Sequence, residues 1–170
     1  YLPQGAATSP LISNLVMRKC DEKLSSLAKK HGLIYTRYSD DLSFSTRSKA
    51  FDRTAAKNIV YEVYKIISEA GYRPQYRKTV IVPPNSKKII LGLNVDGEKP
   101  RLQKEYKDRI RQHLYYIEKL GINEHVNNRG FDSIWGFKCH LKGLIDYANM
   151  IEPAYSKQAL QKFLEIDWPV

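Results

Sequence analysis

The chain has 170 residues, 42% of them apolar and 27% charged, which suits one globular domain, or one and a half, with an adequate core. Its 28 Lys and Arg against 18 Asp and Glu leave a net charge of +10, which points to a polyanionic partner, nucleic acid first and an acidic membrane surface second. No apolar run is long enough to span a bilayer and no charged-then-apolar leader opens the chain, while two distant cysteines, Cys20 and Cys139, argue for a reducing compartment rather than a disulfide framework.

The chain begins at Tyr1, without a methionine, in a Leu-Pro-Gln-Gly segment that reads as the interior of a domain, so a piece of a longer protein is expected. Residues 1–8 read as a loop rich in small side chains. Ser9-Pro10 then reads as a helix start, with Ser as N-cap and Pro at the first helical position. Leu11, Ile12, Leu15, Cys20, Leu24 and Leu27 follow at helical spacing up to a stop at Gly32. Small residues ahead of such a helix suit close backbone approach to a nucleotide or phosphate, and equally a well-capped core helix. Residues 48–70 read as a second helix with Ala55, Ile59, Val63, Ile66 and Ile67 on one face and Gly71 at its end. Residues 72–82 read as extended, most strongly at 79–82, before a turn at Pro83-Pro84-Asn85-Ser86. Residues 89–95 read as a further strand, in which Gly92 hints at a bulge or a close backbone neighbour, closed by the turn pair Asp96-Gly97.

The character changes after Pro100. Residues 103–120 predict a charged amphipathic helix, 122–130 a polar connection, 131–150 a second helix, and Pro153 opens a last one. The expected class is α+β: an antiparallel sheet with packed helices, then an all-helical bundle, divided near residues 96–100. His31, His113, His125 and His140 have no zinc-site spacing with either cysteine.

Two β-favouring runs, 33–38 and 42–46, flank Ser39-Asp40-Asp41. The simplest reading is a hairpin with two aspartates at or beside its tip. Asp is a routine turn former, so a solvated turn explains the pair. A hard divalent cation held by both carboxylates explains it as well, because adjacent like charges are relieved by a cation.

The pieces in this order resemble one family. Gln4-Gly5-Ala6-Ala7-Thr8-Ser9-Pro10 with Ser13-Asn14-Leu15 resembles the Q-G-x-x-x-S-P-x-x-x-N motif of reverse transcriptases. Tyr38-Ser39-Asp40-Asp41 is similar to their Y-x-D-D box, in the bacterial setting Y-T-R-Y-x-D-D-L-x-F-S. Lys78-Thr79 sits where the family carries a lysine, and Ile90-Leu91-Gly92-Leu93 resembles the L-G element called the primer grip. The helical tail resembles a thumb. The set lies in the family's order across about the first 95 residues. It is most similar to the C-terminal palm and thumb portion of bacterial retron-type enzymes, a broad group with group II intron and phage-defence relatives. Ala7 stands where Pro is frequent, Ser39 where Ala is frequent, and Ile90-Leu91-Gly92 where many retron enzymes carry V-T-G. A defence-associated or unclassified relative therefore stays open beside a retron.

The resemblance implies an RNA-directed DNA polymerase that extends a DNA primer on an RNA template with dNTPs and two Mg2+ ions, Mn2+ substituting. It implies a partial palm at 1–97 and a helical thumb at 98–170. Asp40 and Asp41 would be the metal ligands and catalytic residues. The family's third aspartate lies upstream of the Q-G motif, and Asp21, Asp52 and Asp96 stand in the wrong contexts to replace it, so the 170 residues alone are expected to be inactive. Gln4 and Gly5 would shape the nucleotide and template pocket, and Lys78 would face the triphosphate. Leu91, Gly92 and Leu93 would support the primer. Arg101, Lys104, Lys107, Arg109 and Arg111 would hold the duplex backbone. A cognate non-coding RNA, an effector protein, an antiviral role and a bacterial cytoplasmic location complete the expectation, with no membrane. The alternatives are a non-catalytic nucleic-acid scaffold on a degenerate palm, an RNA-templated RNA polymerase, and a palm-fold nucleotidyl cyclase. The last would leave the Gln4-Gly5 to Asn14 motif unexplained.

Overall fold

A computed structural model describes residues 5–48 and 50–169. The chain is α+β and divides into two compact units, Tyr1–Pro83 and Pro84–Val170.

The first unit contains helix α1 (Ser9–Lys30), strands β1 (Ile34–Tyr38) and β2 (Asp41–Ser45), and helix α2 (Arg53–Glu69). Helix α1 starts one residue earlier than its sequence suggests. Thr8 is the N-cap, without a side-chain bond, and Ser9 is already helical. At the other end the Leu33 N–H reaches back to the Ala28 carbonyl at 2.8 Å, closing the helix and burying Leu33. Helix α2 begins at Arg53 rather than residue 48, because the Asp52 carboxylate accepts from the Ala55 N–H at 2.7 Å and fixes the first turn there. Its residues Ile59, Val63 and Ile67, four apart, form the buried stripe. They join Cys20, Leu24, Leu27 and Ala28 of α1 in one core, on which Tyr35, Leu42 and Phe44 of the strands also pack.

The strand expected at 79–82 is not formed. A short 3-10 turn covers Tyr76–Lys78, and Val80, Ile81 and Val82 are exposed. A strand is defined by its ladder partner, and no described strand pairs there, whatever the β-propensity of the segment.

The second unit opens with a three-stranded antiparallel sheet of β3 (Ile89–Ile90), β4 (Leu93–Asn94) and β5 (Arg101–Leu102). The single strand expected at 89–95 is thus a hairpin. Ile90 pairs with Leu93, and Leu91 (φ 49°) and Gly92 (φ 78°) form its two-residue turn. Both central residues lie in the left-handed region, as a type I′ turn demands. Gly92 takes that conformation without steric cost, whereas Leu91 is strained. Because Leu93 pairs with Leu102, the sheet bridges the composition change at 96–100, and the compact units divide ahead of it.

Helices α3 (Lys104–Leu120), α4 (Ile122–Asn128), α5 (Ile134–Ile151) and α6 (Pro153–Leu164) follow. Residues 122–128, expected as a polar connection, are helical because Val126 and His125 are buried against the bundle. Phe137, Leu141, Ile145 and Ala148 of α5 form its central stripe, each at most 1% exposed. They pack with Ile110, Leu114 and Ile117 of α3 and with Ala159 and Phe163 of α6. No helix among the described residues is long and apolar enough to cross a membrane.

Candidate functional site

The two aspartates sit at the end of the β1–β2 hairpin. Tyr38 pairs with Asp41, so Ser39 and Asp40 are the two-residue turn and Asp41 opens β2. Ser39 has φ 54°, a left-handed residue at the first central position. Alternation along β1 sends Tyr35 and Arg37 inward and leaves Ile34, Thr36 and Tyr38 exposed. Asp41, opposite Tyr38, shares the outward face, and both Asp40 and Asp41 are exposed. Neither carboxylate accepts a hydrogen bond or an ion pair from the described residues. Adjacent, unpaired oxygen donors are the chemistry a hard divalent cation requires. The described residues contain no group of three or more His, Cys, Asp or Glu able to hold a metal.

Behind the turn lies a polar network that sequence reasoning missed. Arg37 Nε donates to Asp21 Oδ1 at 2.9 Å and Oδ2 at 3.2 Å, and its Nη2 donates to Oδ2 at 2.7 Å. Its Nη1 donates to Asn14 Oδ1 at 3.1 Å and to the Ser39 carbonyl at 2.8 Å. The Tyr35 hydroxyl donates to Asp21 Oδ1 at 2.7 Å. The Arg37 side chain is only 8% exposed. The Arg37 hydrogen bond holds the Asp21 carboxyl below its ordinary range, against the opposing effect of burial. Burial, and then the Asp21 contact, push the Tyr35 hydroxyl well up. The sequence signal was parity: Tyr35 and Arg37 occupy the inward positions of a half-buried strand, where a polar group needs a partner. Asp21, Asp52 and Asp96 each have structural work, with Arg37, the α2 cap and Arg101 respectively.

Gln4 lies outside the described residues. Gly5 is an exposed turn residue with φ 84°, and a Cβ there would meet nothing within 4 Å. Backbone conformation, rather than close approach within this chain, accounts for a glycine there. Lys78 is exposed at the end of the 3-10 turn, and its ammonium has no partner among the described residues. In the second unit Leu91 and Gly92 form the β3–β4 turn, while Leu93 packs on the core. The Gln103 amide donates to the Gly92 carbonyl at 3.0 Å.

The five cations assigned to the duplex backbone differ in availability. Lys104 and Arg109 are exposed and unpaired among the described residues. Arg101 pairs with Asp96 at 3.0 Å. Arg111 pairs with Asp108 at 2.8 Å and lies over the Tyr155 ring. Lys107 is half-buried in a 2.8 Å pair with Glu152, which also accepts from the Leu102 N–H at 2.8 Å. Its role there is to tie α3 to the α5–α6 junction.

Residues 1–95 match the family of reverse transcriptases, RNA-dependent DNA polymerases. The chain is 35% identical to the retron Ec86 reverse transcriptase of Escherichia coli over 95% of this chain and 50% of that protein. It is 31% identical to the retron Mx162 reverse transcriptase of Myxococcus xanthus over 98% of this chain and 35% of that protein. It is 32% identical to the retron Ec73 reverse transcriptase of Escherichia coli over 98% of this chain and 51% of that protein. The chain thus spans about half the length of these relatives, or less.

Proposed function

Because the chain belongs to the reverse transcriptase (RNA-dependent DNA polymerase) family, we propose that it carries the metal-holding and primer-holding part of an enzyme that extends a DNA primer on an RNA template with dNTPs. The observation that supports this reading is the pair of carboxylates, Asp40 and Asp41, without partners among the described residues and exposed at a two-residue turn inside the matched region. When bound, Mg2+ or Mn2+ would lower the pKa of the primer 3′-hydroxyl and neutralise charge on the triphosphate and the departing pyrophosphate.

The residues of the chain do the holding and orienting. Asp40, at the turn, is the principal ligand, and Asp41, on the outward face of β2, is the second. They form two members of a carboxylate set completed elsewhere in the polymerase. Gln4 and Gly5 shape the nucleotide and template pocket, and the Lys78 ammonium is available to meet the triphosphate. In the second unit the Leu91-Gly92 turn and Leu93 support the primer end. Lys104 and Arg109, joined by the exposed but ion-paired Arg101 and Arg111, meet the duplex phosphates independently of sequence, while Lys107 is held on Glu152. In this reading residues 1–97 are a partial palm and 98–170 a helical thumb. In this reading a cognate non-coding RNA and an effector protein are the further partners, in the bacterial cytoplasm. The 170 residues alone do not polymerise.

The test is primer extension by the full-length polypeptide carrying Asp40→Asn. Loss of dNTP incorporation with an unchanged thermal midpoint is expected. Retained incorporation removes Asp40 from the site, absence of incorporation by the unsubstituted polypeptide favours a non-catalytic scaffold, and a preference for NTP over dNTP makes the enzyme an RNA polymerase.

A further inference from the structure

The Arg37 guanidinium takes no part in the chemistry assigned above, yet it joins the two sequence motifs of the first unit. Asn14 and Asp21 belong to α1, where Asn14 ends the Q-G-x-x-x-S-P-x-x-x-N element. Ser39 is the turn residue immediately before Asp40. One side chain bonds all three. Its donors are directed at protein acceptors and it is 8% exposed, so it is not placed to grip a substrate phosphate.

The acceptor in the turn is what matters. The Ser39 carbonyl belongs to the planar peptide that carries the Asp40 nitrogen, so holding that oxygen fixes the plane from which Asp40 departs. Ser39 is also left-handed, and a strained residue persists only where its surroundings over-determine it. The hairpin has two strands and a two-residue turn, so little else restrains its tip.

Resting on the reading of Asp40 and Asp41 as metal ligands, we propose that Arg37 is a positioning residue for that pair, anchoring the Ser39-Asp40 turn to α1 through Asp21 and Asn14. A purely structural ion pair would stabilise the fold without setting where the carboxylates stand. A positioning residue does both, and the two effects separate in suitable variants.

The experiment uses the full-length polypeptide with Arg37→Lys and the double variant Asp21→Asn/Arg37→Gln. It reads the thermal midpoint, Mn2+ affinity from water-proton relaxation, and the Mg2+ dependence of incorporation. Lysine keeps a charge near Asp21 but lacks the planar fork that spans Asp21 and Ser39 together. A displaced carboxylate pair should weaken Mn2+ binding about tenfold and lower kcat by up to about 10²-fold, with a smaller change in the dNTP KM. The double variant leaves no unpaired charge, so its thermal midpoint should recover while Mn2+ binding stays weak. Recovery of Mn2+ affinity together with stability in the double variant overturns the proposal. So does parental Mn2+ affinity in Arg37→Lys. Asp40→Asn is run beside them: if it leaves Mn2+ binding and incorporation unchanged, the metal reading itself falls. If Asp40→Asn abolishes both while the Arg37 variants behave as the parent, only the positioning role falls.

Discussion

The second unit should lose stability when acidified through the histidine range, because its bundle contains a buried imidazole pair. His113 and His125 are 4% and 2% exposed, and His113 Nδ1 lies 3.0 Å from His125 Nε2. Phe137 packs against both rings. Burial first, then the neighbouring His125, Arg129, His140 and Arg109, lower the His113 pKa from 6.5 to about 4. His125 is lowered too, by burial and then Arg129. The folded state therefore resists a proton that the unfolded chain accepts. Stability is fully present above the unfolded value of 6.5 and is lost as pH falls from there to about 4, where the folded protein also binds the proton. The slope in that window is about 1.4 kcal/mol per pH unit, so acidification from pH 6.5 to pH 5 should cost about 2 kcal/mol. With a urea dependence of about 1–3 kcal/mol per molar, the unfolding midpoint should drop by about 1 M. In the 170-residue chain tryptophan fluorescence reports this unit, because both of its tryptophans, Trp135 and Trp168, lie there. Trp168 packs on Phe163 and Phe137 and donates to the Phe163 carbonyl, so unfolding changes its surroundings. His113→Phe should flatten the profile between pH 6.5 and pH 5. A midpoint that is constant over that range in the parent, or an undiminished slope in His113→Phe, refutes the reasoning.

Lys104→Gln should weaken RNA–DNA duplex binding and reduce the slope of log affinity against log salt by about 1, with the thermal midpoint unchanged. Lys107→Gln should instead lower the thermal midpoint, since it leaves the Glu152 carboxylate short of its partner at 2.8 Å, and change the salt slope less. Equal salt slopes for the two variants would refute the distinction. Leu91→Asn should raise stability by about 1 kcal/mol, because Leu91 at φ 49° is half-exposed and asparagine tolerates the left-handed region. A lower thermal midpoint in that variant would place the strain elsewhere.

The local signals were legible because they act within a few residues. The buried stripe Ile59, Val63 and Ile67 is a four-residue repeat visible in the chain, and the Phe137, Leu141, Ile145, Ala148 series of α5 follows the same helical spacing in steps of four and three. The start of α6 at Pro153 and the end of α1 at Lys30, two residues before Gly32, follow from backbone chemistry alone. Helix α4 was missed because its polar sequence conceals two buried residues, His125 and Val126, whose burial depends on α3 and α5.

Sequence alone determined which residue types stand side by side: the Asp40-Asp41 pair, the ordered motifs around it, the helical faces and the basic balance. Tertiary structure decided what depends on partners distant along the chain. Strand identity at 79–95 is one case, since a strand exists through its ladder and the β-branched run 79–82 finds none among the described strands while Leu93 finds Leu102. The fate of each charge is the other. Lys107 meets Glu152, 45 residues on, and Arg37 meets Asp21, 16 residues back, so one cation of the expected duplex-binding set is turned inward, and an arginine in the strand becomes the tether of the turn.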